Sequence, residues 1–148
     1  MRDDLPDNIL PDVESELALP ELLHFDYAVV RVVPRVERGE FLNVGAMIFC
    51  PTQGFLDCRI ELDRARLAAF ASFVDAEDIE SYLQTIERIC CGGKKAGVIG
   101  QMSQRERWHW LVAPRSTMIQ ISPVHAGLCH NLAGALDDLF DKMVRVGK

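Results

Sequence analysis

At 148 residues the chain has the length of one domain, and with 49% apolar and 26% charged residues it is neither a disordered, a collagen-like nor a disulfide-stapled sequence. No run approaches the ~20 consecutive apolar residues of a membrane span, and the N-terminus has neither the basic start nor the apolar core of a secretory signal, so the chain is expected to stay in the cytoplasm and off the membrane. The net charge of −6 falls entirely within residues 1–24, while the remainder balances 15 basic against 15 acidic side chains with no basic stripe, which argues against nucleic acid.

Five cysteines, an odd number with Cys90 and Cys91 adjacent, suit free thiols in a reducing compartment. Cys50 and Cys58 flank a turn, so two strands could carry them face to face.

Residues 1–24 hold Pro6, Pro11 and Pro20 among seven acidic residues, a mix that reads as an acidic N-terminal arm. Its Leu17, Leu19, Leu22 and Leu23 offer apolar side chains to the body or to a partner. A single domain is expected from residue 25 to residue 148. Its first strand begins at Phe25, is rich in β-branched residues, ends before Pro34 and is apolar enough to be buried on both faces. A charged connection with Gly39 leads to a second strand from Phe41 to Cys50, closed by a turn at Gly54. The third strand alternates, with Leu56, Cys58, Ile60 and Leu62 on one side and Asp57, Arg59 and Glu61 on a wet one.

Asp63 is placed to cap a short helix that buries Leu67, Phe70, Ala71 and Val74. Asp75 caps a longer one with Ile79, Tyr82, Leu83, Ile86, Ile89 and Cys90 on one face, stopped by Gly92-Gly93. Residues 92–107 read as a loop with room for one helical turn before Trp108. Trp108–Ala113 and Thr117–Ser122 read as strands joined at Pro114-Arg115-Ser116, and Asn131 caps a last helix with Leu132, Leu136, Leu139, Phe140 and Met143 inward. The order β-β-β-α-α-β-β-α predicts an α+β fold: a mixed or antiparallel sheet of about five strands, with three helices grouped mainly on one face.

No phosphate-binding loop, dinucleotide fingerprint, zincin motif or nucleophile elbow is present. Four polar groupings remain. Arg115, Ser116 and Thr117 form a turn whose guanidinium, hydroxyls and free N–H groups suit an anion. His125 follows at the end of a stiff turn from Ser122 to Gly127, in reach of the same cleft. Arg31 interrupts an apolar strand beside Asn43 and Gly45 on the next; Glu37 or Glu40 would pair with it structurally, a ligand phosphate or carboxylate functionally. Finally, His125, Cys129 and His130 have the spacing of a Cys–His pair, with Cys129 just before a helix N-terminus that would favour thiolate. Against each stands a structural role: a surface ion pair for Arg115, a loop hydrogen bond for His125, a buried thiol for Cys129. Neither a metal nor a cofactor is implied.

Through Tyr27–Pro34, Glu40–Pro51, and above all His109–Thr117 with Ser122–Gly127, the chain resembles an uncharacterised bacterial family, domain of unknown function 3037, over residues 25–145. The family's recurrent polar positions match Arg31, Glu40, Asn43, Arg115, Ser116 and His125. The resemblance implies a stand-alone bacterial domain encoded beside kinase-like proteins. The leading expectation is a non-catalytic accessory or regulatory module that binds a kinase-like protein partner. The other is a domain binding a small molecule, phosphate or carboxylate, extending to a small enzyme, built around Arg31, Arg115 and His125.

Overall fold

The computed structural model describes residues 21–145 of the chain. Its strands are β1 (Leu23–Val32), β2 (Leu42–Cys50), β3 (Phe55–Ile60), β4 (Ile119–Ile121) and β5 (His125–Cys129). Its helices are α1 (Arg64–Phe70), α2 (Ala76–Cys91), α3 (Gly97–Gly100), α4 (Gln104–Val112) and α5 (Leu132–Met143). All strand pairs are antiparallel in the order β3-β2-β1, and the far side of β1 is taken by β4 along Val30–Val32 and by β5 along Leu23–Tyr27. Thus β4 and β5 are two halves of one edge strand, broken at Ser122-Pro123-Val124. The sheet begins at Leu23, inside the stretch expected to be arm; residues 1–20 of that arm lie outside the described residues.

The sheet is covered on both faces, which is why β1 and β2 carry nearly continuous apolar runs rather than alternation. On the first face Ala28, Val30, Val32, Val44, Met47 and Phe49 pack with Leu67 of α1, Ile79 to Cys90 of α2, and Trp108 and Leu111 of α4. On the second, Phe25, Ala46, Ile48 and Cys50 meet Leu132 and Leu136 of α5. The register of β1 on β2 shifts between Val30 and Arg31, an irregularity that lets both Val44 and Met47 reach the first face.

Several expectations are corrected. Five helices, not three, occur among the described residues, and α5 lies across the sheet from α1, α2 and α4. The segment expected as a strand at Trp108–Ala113 is the second half of α4. The fifth strand is instead His125–Cys129, part of which was read as a turn. The wet face of β3 is crossed by α5, so Arg59 pairs with Asp137 and Glu61 with Arg145. Helix α1 stops at Phe70, one turn short of the expected stripe, leaving Phe70 and Phe73 exposed. Cys50 and Cys58 cannot meet, because Cys50 belongs to the second-face core and Cys58 packs against the first. All five cysteines are free thiols.

No helix among the described residues is long and apolar enough to cross a membrane.

Candidate functional site

Arg31, on β1, stands opposite Asn43 of β2 and Gln120 of β4. Its guanidinium lies 3.9 Å over the ring of Phe41, a cation–π stack, and partial burial lowers its pKa from the ordinary arginine value. The expected partner Glu40 is engaged elsewhere, by both carboxylate oxygens, at 2.8 and 3.0 Å from Arg38. That pairing holds the Glu40 carboxyl below its ordinary range. Asn43 donates from Nδ2 to the Met143 carbonyl at 3.0 Å, at the end of α5. Asn43 Oδ1 and Arg31 Nε are buried without a hydrogen-bond partner among the described residues. Gly45 does not leave room for a ligand beside them: a Cβ there would sit 2.9 Å from the Arg59 carbonyl and 2.8 Å from the Ile60 side chain.

Arg115 occupies the other layer. It follows α4 and donates from Nη1 to the Leu111 carbonyl at 2.9 Å and from Nη2 to the Trp110 carbonyl, closing two of the acceptors a helix end leaves open. The guanidinium also lies 4.2 Å over Trp110, and burial lowers its pKa. It borders a cavity of about 390 Å³ between α2, α4 and β4, walled by Tyr82, Ile86, Trp110, Met118 and Ile119 with Thr85 and Thr117. Ser116, next in the chain, is exposed and makes no side-chain hydrogen bond among the described residues.

His125 opens β5 opposite Tyr27, whose ring lies 5.4 Å from the imidazole and packs against the second-face core. Arg115, beside Ile86 and Ile119 of the first-face core, is therefore separated from His125 by the sheet, and the cleft expected to join them is not formed. Arg31 shares the second face with His125, but it stands four residues further along β1 than Tyr27, the partner of His125, or roughly 13 Å away. The same strand spacing parts His125 from Cys129, so they are not a nucleophile pair. The Cys129 thiol is pushed up, first by burial and only partly offset by a backbone hydrogen bond from Asn131, the reverse of the thiolate expectation. His130 Nδ1 instead lies 3.3 Å from the Glu21 carbonyl. Among the described residues no three His, Cys, Asp or Glu side chains converge as metal ligands.

Around the β1–β2 connection the structure assembles a surface that the sequence reading passed over. Arg35 lies 4.6 Å over Phe73, as Arg31 lies over Phe41, and Phe73, Phe41 and Phe70 are 58%, 41% and 40% exposed. Pro34, Arg35, Arg38, Phe70 and Phe73 enclose a cleft of about 250 Å³ here. The available signal was the pair of phenylalanines at the end of α1, of which helical spacing assigned Phe70 to the core and left Phe73 unremarked. Tyr82 was likewise assigned inward on α2 but is 56% exposed.

No curated protein and no solved structure matches the chain. A family model described as a protein of unknown function, DUF3037, matches residues 27–144, which take in β2–β5, all five helices and each of the polar positions above. The chain belongs to the DUF3037 family.

Proposed function

We propose that this domain is a non-catalytic interaction module that docks a kinase-like protein through the surface around the β1–β2 connection. The observation that carries the reading is the stack of Arg35 on Phe73, held in the open, with the half-buried Arg31 stacked on the exposed Phe41 at the other end of the same connection. Arginine and aromatic side chains are the types that dominate binding energy at protein interfaces, and a guanidinium already stacked on a ring loses little freedom when a partner covers it. The kinase-like class of the partner comes from the family resemblance alone.

The test is co-purification and titration with the neighbouring kinase-like protein. Phe73→Ser and Arg35→Ala, both surface changes, should weaken the complex by at least about tenfold while leaving the melting temperature in place. Unchanged affinity in a folded Phe73→Ser, Phe41→Ser double variant removes the proposal.

The second reading, a domain that binds a carboxylate or phosphate, keeps one supporting observation, the guanidinium of Arg115 at the rim of an apolar cavity. Arg31 and His125 would act apart from it.

A further inference from the structure

The cavity between α2, α4 and β4 has a composition that selects its ligand. Its volume of about 390 Å³ is within the range of small-molecule sites, and its walls are two aromatic rings, Tyr82 and Trp110, with Ile86, Met118 and Ile119. Among the described residues Arg115 is the one charged residue lining it, and no carboxylate does. A guanidinium has five N–H donors, and Arg115 gives one each to the carbonyls of Leu111 and Trp110. The rest have no acceptor among the described residues, and Arg115 forms no ion pair there. The hydroxyls of Thr85 and Thr117 already donate to the Ser81 and Ile119 carbonyls, so towards the cavity they are acceptors.

We propose that this cavity binds a small organic acid with an apolar body, its carboxylate taken by Arg115 and its body held between Tyr82 and Trp110. The Trp110 stack and the two helix carbonyls fix the guanidinium plane in advance, so a planar carboxylate meets a preformed fork. The same acid group occurs at the C-terminus of a peptide, and the experiment separates the two sources.

Tryptophan fluorescence and melting temperature are followed while 4-phenylbutanoate, 4-methylpentanoate, their primary amides, and a tripeptide ending in leucine are each added to millimolar concentration. Trp110 lines the cavity and Trp108 is buried, so an occupant alters the Trp110 signal. The acids should shift the emission and raise the melting temperature, with the amides weaker by roughly 10- to 150-fold, the loss of one charge-assisted contact. Tyr82→Ala, which touches the wall and not the helix end, should weaken the acids and amides alike. Arg115→Gln should abolish the preference for acid over amide, and Arg115→Lys, which keeps the charge, should retain part of it if the Gln variant folds poorly. Equal binding of acids and amides, or no response to any acid by the folded protein, overturns the proposal. Binding of the tripeptide without the free acids also overturns it, and assigns the cavity to a chain terminus.

Discussion

Ser122 stands in for a missing piece of backbone opposite Val29. Its hydroxyl accepts the Val29 N–H at 2.8 Å and donates to the Pro123 carbonyl at 2.9 Å, while its own N–H reaches the Val29 carbonyl at 2.9 Å. This is how the edge of the sheet passes from β4 to β5 across a proline without leaving the centre of β1 unpaired. Ser122 is only 3% exposed and Val29 is buried, so no solvent replaces the hydroxyl. Ser122→Ala should cost about 1–3 kcal/mol in urea unfolding, the penalty of an orphaned buried N–H. A loss below a few tenths would mean that the edge rearranges to pair Val29 by other means.

The start of α4 rests on a reciprocal cap. Ser103 Oγ accepts the Glu106 N–H at 3.1 Å and Glu106 Oε1 accepts the Ser103 N–H at 3.1 Å. Ser103→Ala should lower stability by about 0.5–2 kcal/mol. Glu106→Gln can keep the return hydrogen bond and should cost less. Equal losses for the two would argue that charge near the helix start, rather than cap geometry, is what matters there.

That cap also marks where the sequence was legible and where it was not. Asp63, Asp75 and Asn131 were each read as helix caps, and each accepts a backbone N–H, from Arg66, Glu77 and Gly134. The strands β1, β2 and β3 were legible because β1 carries a dense β-branched run, β2 an apolar run closed by Pro51 and a turn at Gly54, and β3 a strict alternation. The spacing Ser103-x-x-Glu106 was equally visible, but the tryptophans, leucine and valine at 108–112 have strand propensity, and propensity was followed over the cap. Arg115 was recognisable as unusual, though its role in closing α4 depends on that helix existing. Arg31, Arg115 and His125 stood out by type, whereas the parting of Arg115 from His125 follows from the sheet face each takes and that of Arg31 from His125 from their places along β1, and the shift at Val30/Arg31 and the break at Pro123 leave little periodic trace.

Gly45 should tolerate no side chain. A Cβ there meets the Arg59 carbonyl, which belongs to the paired strand and cannot turn aside as a side chain could. Gly45→Ala should therefore part β2 from β3 locally, at a cost of about 1–3 kcal/mol, and speed amide exchange at Glu61, whose N–H is held by Val44. Unchanged exchange would place the adjustment elsewhere.

The Arg64–Glu80 pair ties the start of α1 to α2, with Arg64 Nε 3.1 Å from one carboxylate oxygen and Nη2 against the other. The Glu80 carboxyl is held below its ordinary value of 4.5 by this pairing. A depressed carboxyl stabilises the fold above its unfolded value, and that contribution disappears as pH falls through the lower folded value. The stability difference between the protein and Glu80→Gln should thus be present at neutral pH and close in acid. Because both groups are exposed, added salt should shrink it too. A difference that persists in strong acid would point to packing rather than charge.

Thiol chemistry distinguishes a catalytic reading of the β5 end from a structural one. A cysteine that served as a nucleophile beside His125 would be ionised near neutral pH, and its alkylation rate would plateau there. The Cys129 thiol is pushed up by burial, with the buried Cys50 thiol adding to the shift, and His125 lies four residues away along the same strand. The Cys58 thiol is also pushed up, first by its neighbour Cys90 and then by burial. Only the thiolate reacts, so iodoacetamide labelling of native protein, resolved by mass spectrometry, should find the exposed Cys91 modified first. Cys50 and Cys90 are buried and should resist until unfolding. The rate at Cys129 should climb with pH through the alkaline range without a neutral plateau, and His125→Ala should leave it unchanged. A neutral plateau at Cys129 that His125→Ala removes would restore the pair and, with it, a reaction for this domain.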